Sequence, residues 1–217
     1  MQNKQSYWTR GSFCLLLFVI LGYTVRFYPQ NLVAFDSGIQ TAVRGDLPTA
    51  LTTFFTSLTK IGNMPVIMGW VAMATIFLLW KRYYSEAILL VGNLALTGLL
   101  VLILKNIYQR PRPGIEHLVA EKGFSFPSGH ALAASLVIGS VLIIVSQNVQ
   151  AGWLRRFLQG SLILLILALP LSRVYLGVHY PSDVIGSLLL GFGILYLEFP
   201  AYQRLRFRWR FTGKQAR

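Results

Sequence analysis

A chain of 217 residues that is 54% hydrophobic and only 12% charged is too apolar for an ordinary water-soluble domain, and its charges bunch between long neutral runs. The formal net charge of +13 would suit nucleic acid, but no basic, aromatic-studded soluble segment exists to bind one. A lipid bilayer is therefore the expected partner, no nucleic acid is expected, and the arginine-rich tail fits beside anionic headgroups or as an insertion stop.

Uncharged windows cover residues 11–25, 61–80, 87–104, 131–154, 157–172 and 184–197. Crossing the hydrocarbon takes about 17 to 25 mostly apolar residues, so the second, third and fourth windows qualify alone. The other three reach that length by taking in flanking aromatics such as Phe27, Tyr28, Phe199 and Tyr202, or by placing Arg173 at the interface. The expectation is an all-α, six-helix transmembrane bundle, one domain across residues 1–217, with spans near 11–28, 61–80, 87–107, 130–150, 157–173 and 183–202. The first run has Arg10 before it but no small-x-small cleavage site after it, which favours a retained anchor. Cys14, the one cysteine, rules out an intrachain disulfide or a cysteine-rich metal site.

Between the first two spans, Phe35, Ile39, Val43, Leu47, Leu51, Phe54, Phe55 and Leu58 recur near helical spacing, interrupted by Gly45 and Pro48. Two short interfacial helices fit, packing over the bundle or helping a lipid enter from the side. Alternating six spans from a cytoplasmic amino terminus puts Lys4, Arg10, Lys81, Arg82, Arg155, Arg156, Arg204, Arg206, Arg208, Arg210, Lys214 and Arg217 inside. The outer loops then carry the other basic residues, offset by Asp36, Asp46, Glu116, Glu121 and Asp183. Cations gathered near the inner span ends match the positive-inside rule and predict two cytoplasmic termini.

The same alternation sends three polar stretches to one face. In the first, Lys105 and Arg112 flank a segment broken by Pro111 and Pro113, so the third span ends near Tyr108 and the two cations can fold together around a phosphoryl dianion. Basic residues at a span end also snorkel, so this segment alone is weak. In the second, residues 127–130 open the fourth span. A helix amino terminus presents unpaired N–H groups and positive dipole, Ser128 can donate to a phosphoryl oxygen, Gly129 allows close backbone approach, and His130 titrates in the range suited to proton transfer. The bland alternative is a serine cap beside an interfacial histidine. In the third, Arg173 precedes His179, and Asp183 follows it by four; Pro181 suits a first helical turn, leaving His179 just outside it within reach of the Asp183 carboxylate. Asp183 would otherwise merely complement the helix dipole. Glu116, His117 and Glu121 lack convincing metal-ligand spacing and read as a solvated loop.

Taken together, Lys105-x6-Arg112-Pro113, Pro127-Ser128-Gly129-His130 and Ser172-Arg173-x5-His179-x3-Asp183 resemble, in order and without a gap, the three motifs of the type 2 phosphatidic acid phosphatase superfamily. The resemblance covers nearly the whole chain and implies an integral membrane lipid phosphatase with an extracytoplasmic site, a phosphohistidine intermediate, and neither cofactor nor metal. It implies His179 as nucleophile, Asp183 as the group holding its ring, and His130 as acid and then base. Lys105, Arg112, Arg173, Ser128 and Gly129 would bind the phosphoryl oxygens. Expected substrates are a lipid phosphomonoester or pyrophosphate: undecaprenyl pyrophosphate, phosphatidylglycerol phosphate or a phosphatidic acid-like lipid. The alternatives are a lipid phosphotransferase using the same intermediate and a non-catalytic lipid-binding or transport protein. Two departures stand out. Arg110-Pro111 duplicates Arg112-Pro113, with spacing selecting Arg112, and Ser187 follows Gly186 where paired glycines are common, which puts tight packing of the last span in question. The sequence sets no oligomeric state.

Overall fold

The computed structural model describes residues 4–216, all of whose regular elements are helices. Helix α1 runs Lys4–Phe27, a 3₁₀ turn follows at Pro29–Leu32, and α2 (Val33–Arg44) and α3 (Thr49–Ile61) precede α4 (Met64–Trp80). Then come α5 (Tyr84–Tyr108), α6 (Gly129–Asn148), α7 (Trp153–Tyr175) and α8 (Pro181–Phe211). The third span ends at Tyr108 as its prolines require, with Gln109 in the left-handed conformation, and α8 begins on Pro181.

Five helices, α1, α5, α6, α7 and α8, are long and apolar enough to cross a membrane by themselves. The expected second span differs. Helix α4 has 17 residues, about 25 Å at 1.5 Å per residue, and the sixth crossing exists only if α3 and α4 form one span bent by 52°. Gly62 and Asn63, ahead of Pro65, make that break.

The surface is inverted relative to a soluble protein. Met68, Trp70, Met73, Ile76, Phe77, Leu102, Leu164 and Leu167 are exposed, while Asn93, Thr97, Ser135, Ser140 and Glu86 are buried. Hydrocarbon offers the outer face no hydrogen bonds, so polar side chains turn inward and pair across helices, as when Asn93 donates to Ser140 Oγ at 2.8 Å and Glu198 Oε1 at 2.6 Å. Helix α6 is the axis. Its Leu132 and Leu136 pack with Phe18, Val25, Phe126, Leu190 and Leu195, and its Ala133 and Val137 with Ile67, Val71, Leu78, Ala87 and Leu90. Helices α1 and α8 approach closely: a Cβ on Gly11 would lie 2.9 Å from the Gly193 carbonyl oxygen.

The two short helices exist, broken at Gly45 and Pro48 as the sequence indicates. Their apolar stripe divides, with Val43, Leu47 and Phe55 packed over the bundle. Phe35 and Ile39 are exposed, and Asp36 and Gln40 are the buried residues of α2. Asp36 is thus no solvated loop charge. Ser187 does not loosen α8, being itself buried and bonded both to the Ser128 amide and to the Asp183 carbonyl.

Candidate active site

The carboxyl ends of α5 and α7 meet the amino ends of α6 and α8, and the loops joining them close over one end of the bundle. His179 sits in the turn between α7 and α8, its ring buried. Its Nδ1 lies 3.4 Å from Asp183 Oδ2, a long contact, and its Nε2 lies 3.5 Å from Arg112 Nη1. A carboxylate on one side and a guanidinium on the other suit a neutral ring with its proton on Nδ1 and a lone pair on Nε2, although the Nδ1 contact falls short of hydrogen-bond geometry. Burial pulls the imidazolium below the usual histidine pKa; Asp183 opposes this, and Arg173 and Arg112 add to the fall.

Asp183 is fully buried and held through both oxygens. Tyr180 N–H donates to Oδ2 at 2.9 Å, capping α8, and Arg110 Nη1 donates to Oδ1 at 2.6 Å. The two adjacent arginines therefore divide. Arg112 faces the His179 ring and Arg110 backs Asp183.

Arg112 spends most of its donors on backbone carbonyls, Nε on Gly123, Nη1 on Val178 and Nη2 on Lys122, and so pins the loop after α5 against the turn before α8. Arg173, 1% exposed, donates Nη1 to Thr59 Oγ1 at 2.6 Å and Nη2 to Glu121, which also lies 3.4 Å from Arg112 Nη2. Glu121 is thus not the solvated loop residue that its spacing suggested. It is the anion on which two of the expected phosphate-binding cations converge, and its side chain is 28% exposed. Lys105 is within electrostatic reach of Arg112, Glu121, Asp183 and Arg173, but makes no hydrogen bond or ion pair with another side chain among the described residues.

Ser128 stands at the amino-terminal cap of α6 without capping it. Its amide donates to Ser187 Oγ at 2.8 Å, while its own Oγ is buried and unpartnered among the described residues, as is Arg173 Nε. Two buried donors without acceptors fit an arriving oxyanion. A Cβ on Gly129 would meet only Val101, at 3.8 Å or more, so packing within the protein does not demand glycine there. His130 Nε2 lies 3.2 Å from the Thr59 carbonyl and 3.3 Å from Asn63 Oδ1, and the ring fills the space that a side chain on Gly62 would need. The α3–α4 break therefore carries groups that seat His130, and Thr59 links it to Arg173.

Of the eight residues expected from sequence, His179 lies against both Asp183 and Arg112, and Arg173 joins Arg112 through Glu121. His130 joins Arg173 through Thr59 and is electrostatically coupled to His179. Ser128 and Gly129 open the helix bearing His130. Missed were Asp36, Thr59, Asn63, Arg110 as a partner of Asp183, and Glu121. Of these, only the Gly62-Asn63-x-Pro65 turn left a local trace.

The family model described as the PAP2 superfamily matches residues 86–207. The chain is 27% identical over 151 residues to phosphatidylglycerophosphatase B of Bacillus subtilis (strain 168), covering 68% of this chain and 73% of that protein. It is 29% identical over 204 residues to undecaprenyl-diphosphatase of Sulfolobus acidocaldarius, covering 90% of this chain and 91% of that one. The crystal structure of a transmembrane PAP2-type phosphatidylglycerolphosphate phosphatase from Bacillus subtilis superposes with a TM-score of 0.80 at 24% identity, over 90% of this chain and 97% of the other. That likeness establishes the fold.

Proposed function

The chain belongs to the PAP2 superfamily of phosphate-ester hydrolases and is a multi-pass membrane protein, and from that premise we propose that it hydrolyses a lipid phosphomonoester or pyrophosphate through a phosphohistidine at His179. The supporting observation is the meeting of an aspartate-backed imidazole with buried, unpartnered donors from Ser128 and Arg173. Candidate substrates are phosphatidylglycerol phosphate, undecaprenyl pyrophosphate and phosphatidic acid-like lipids, the first two echoing the names of the relatives. The site faces the extracytoplasmic side, with both termini cytoplasmic, a reading supported by the basic residues at the opposite ends of the spans.

The reaction divides among these groups as follows. His179 Nε2 gives its lone pair to phosphorus, and the P–O bond to the lipid breaks with its electrons passing to the leaving oxygen. His130 delivers a proton to that oxygen. Its Nε2 faces the Thr59 carbonyl, an acceptor, which keeps a proton on Nε2 and leaves Nδ1 to exchange one with substrate. Water then attacks the phosphohistidine as His130 takes its proton, and the P–N electron pair returns to Nε2. Asp183 stabilises the ring while it carries positive charge.

Phosphate-monoester hydrolysis can require acceleration of up to about 10²¹-fold, and general acid–base catalysis supplies roughly 10² to 10⁴ of it. Most of the remainder falls to positioning and preorganised charge, here Lys105, Arg112, Arg173 and the α6 amino terminus in place of a metal. The test is phosphate release from a panel of detergent-solubilised lipid phosphates and pyrophosphates, with a His179→Ala control and with chelator or vanadate added. Release that survives chelation, stops with vanadate and vanishes in the variant is expected. Loss of turnover on chelation, or full activity in the variant, contradicts the proposal.

A further inference from the structure

Helix α2 lies outside all three motifs, yet it sends one acid into the back of the site. Asp36 is 2% exposed and accepts three short hydrogen bonds. Its Oδ2 accepts from Arg110 Nη2 at 2.7 Å and from Ser182 Oγ at 2.7 Å, and its Oδ1 accepts from the Ser182 amide at 2.9 Å. Gln40, one turn along, reaches the His179 carbonyl at 3.5 Å. Arg110, itself 6% exposed, forks between Asp36 and Asp183, donates to Ser182 Oγ at 2.7 Å and lies over the Tyr180 ring at 3.9 Å.

We propose that Asp36 and Arg110 are positioning residues for the nucleophile: they fix Asp183 from behind and divide one guanidinium between two carboxylates, so that Asp183 keeps enough negative charge to support the His179 cation. The proposal presupposes the phosphohistidine role of His179.

The argument is one of geometry and charge. A carboxylate free to rotate would not hold a long 3.4 Å contact to Nδ1 in register. Here Oδ1 is occupied by Arg110 and Oδ2 by the Tyr180 amide as well, so the direction toward the imidazole is set before substrate arrives. Arg110 alone would neutralise Asp183. With Asp36 included, two carboxylates and one guanidinium leave a single negative charge, which balances the ring once Nε2 is phosphorylated. Both acids are buried, so water does little to screen this balance.

The test reads activity against pH in the full chain. The nucleophile must be neutral, so kcat/KM falls as pH drops through the His179 titration, and the position of that acid limb reports the charge around it. The groups facing His179 are Asp183 of α8 with Arg110 and Asp36 behind it, Arg112 and Glu121 of the loop, Lys105 of α5, Arg173 of α7 and His130 of α6. Asp36→Asn leaves Arg110 undivided on Asp183, and its acid limb moves to lower pH. Arg110→Gln leaves two carboxylates unscreened, and its limb moves to higher pH. The double variant returns the limb toward wild type. In each single variant kcat falls by about 10- to 100-fold, while KM and inhibition by inorganic phosphate stay within about threefold because Lys105, Arg112 and Arg173 are intact.

Ser182→Ala removes a hydroxyl from the same network but no charge, and its limb stays in place. Opposite shifts in the single variants support the proposal. Limbs that stay put or move together, or KM and phosphate inhibition weakening as much as kcat, overturn it. Either single variant alone reads a sign if the other does not fold. Arg110→Lys provides a further check, with lower kcat at an unmoved limb, and full kcat there also overturns the proposal. Wild-type protein that forms no phosphohistidine defeats the premise instead, whatever the variants do.

Discussion

At both ends of the bundle two arginines converge on a glutamate, and the two glutamates differ in accessibility, Glu86 at 0% and Glu121 at 28% side-chain exposure. At the end where α5 begins, Glu86 is completely buried; its Oε1 takes Arg206 at 2.9 Å and Arg210 at 3.3 Å, and its Oε2 takes Ser85 and Gln215. Arg206 and Arg210 also bind Asn148, so α5, α6 and α8 are fastened around an anion that the fold supplies permanently. At the other end, Arg173 and Arg112 meet on Glu121, which belongs to a loop and is partly exposed, while Lys105 pairs with no side chain among the described residues. A cluster centred on a captive anion serves cohesion. One centred on a displaceable anion is suited to exchange it for another; a buried guanidinium Nε without a partner occurs at each end, on Arg210 at the first and on Arg173 at the second, where the Ser128 hydroxyl joins it.

The sharpest way to break this comparison is to neutralise one arginine at each end. Arg173→Gln should lower kcat/KM by about 10²- to 10³-fold, the scale of losing one preorganised charge contact to a transition state. Arg206→Gln should leave the folded protein's kcat/KM within about threefold. Equal losses of turnover in the two variants would erase the distinction.

Glu86→Ala comes next in size. Removing one partner of a buried ion pair typically costs about 3–5 kcal/mol, and the lower end applies here because the Arg206 and Arg210 side chains are 14% and 23% exposed. Thermal or denaturant unfolding in detergent should show that loss, with turnover per folded molecule retained. Unchanged stability would mean that the cluster fastens nothing.

The smallest effect is expected from Glu121→Gln. With the competing carboxylate charge gone, inorganic phosphate should inhibit at several-fold lower concentration and KM should fall, a gain on the order of 1 kcal/mol for a partly exposed pair. Weaker phosphate inhibition would show instead that Glu121 holds the cations in place for substrate.

The sequence makes the site legible where chemistry is local. Pro111, Pro113 and Pro181 set the ends of α5 and α8, and the four-residue step from His179 to Asp183 puts those two side chains together. It hides what depends on contacts across the chain, since Asp36 meets Ser182 from 146 positions away and Thr59 meets Arg173 from 114. On α2 the apolar spacing divides, with Phe35 and Ile39 exposed and Val43 packed against the Ala131, Val174 and Val184 cluster, and the polar Asp36 and Gln40 turn in toward partners that only distant segments supply. A loop acid such as Glu121 reads as solvated from its own neighbours, and nothing nearby in sequence signals that Arg173, 52 positions away, meets it together with Arg112.

The central claim is that His179 becomes covalently phosphorylated. Rapid alkaline quench of the enzyme turning over a radiolabelled lipid phosphate, followed by peptide mapping, tests it directly. The account predicts label on the peptide carrying His179, accumulating further in His130→Ala, where the intermediate is hydrolysed slowly, and absent from His179→Ala. Label on another residue, or steady phosphate release with label absent from every variant under conditions that preserve phosphohistidine, would contradict it.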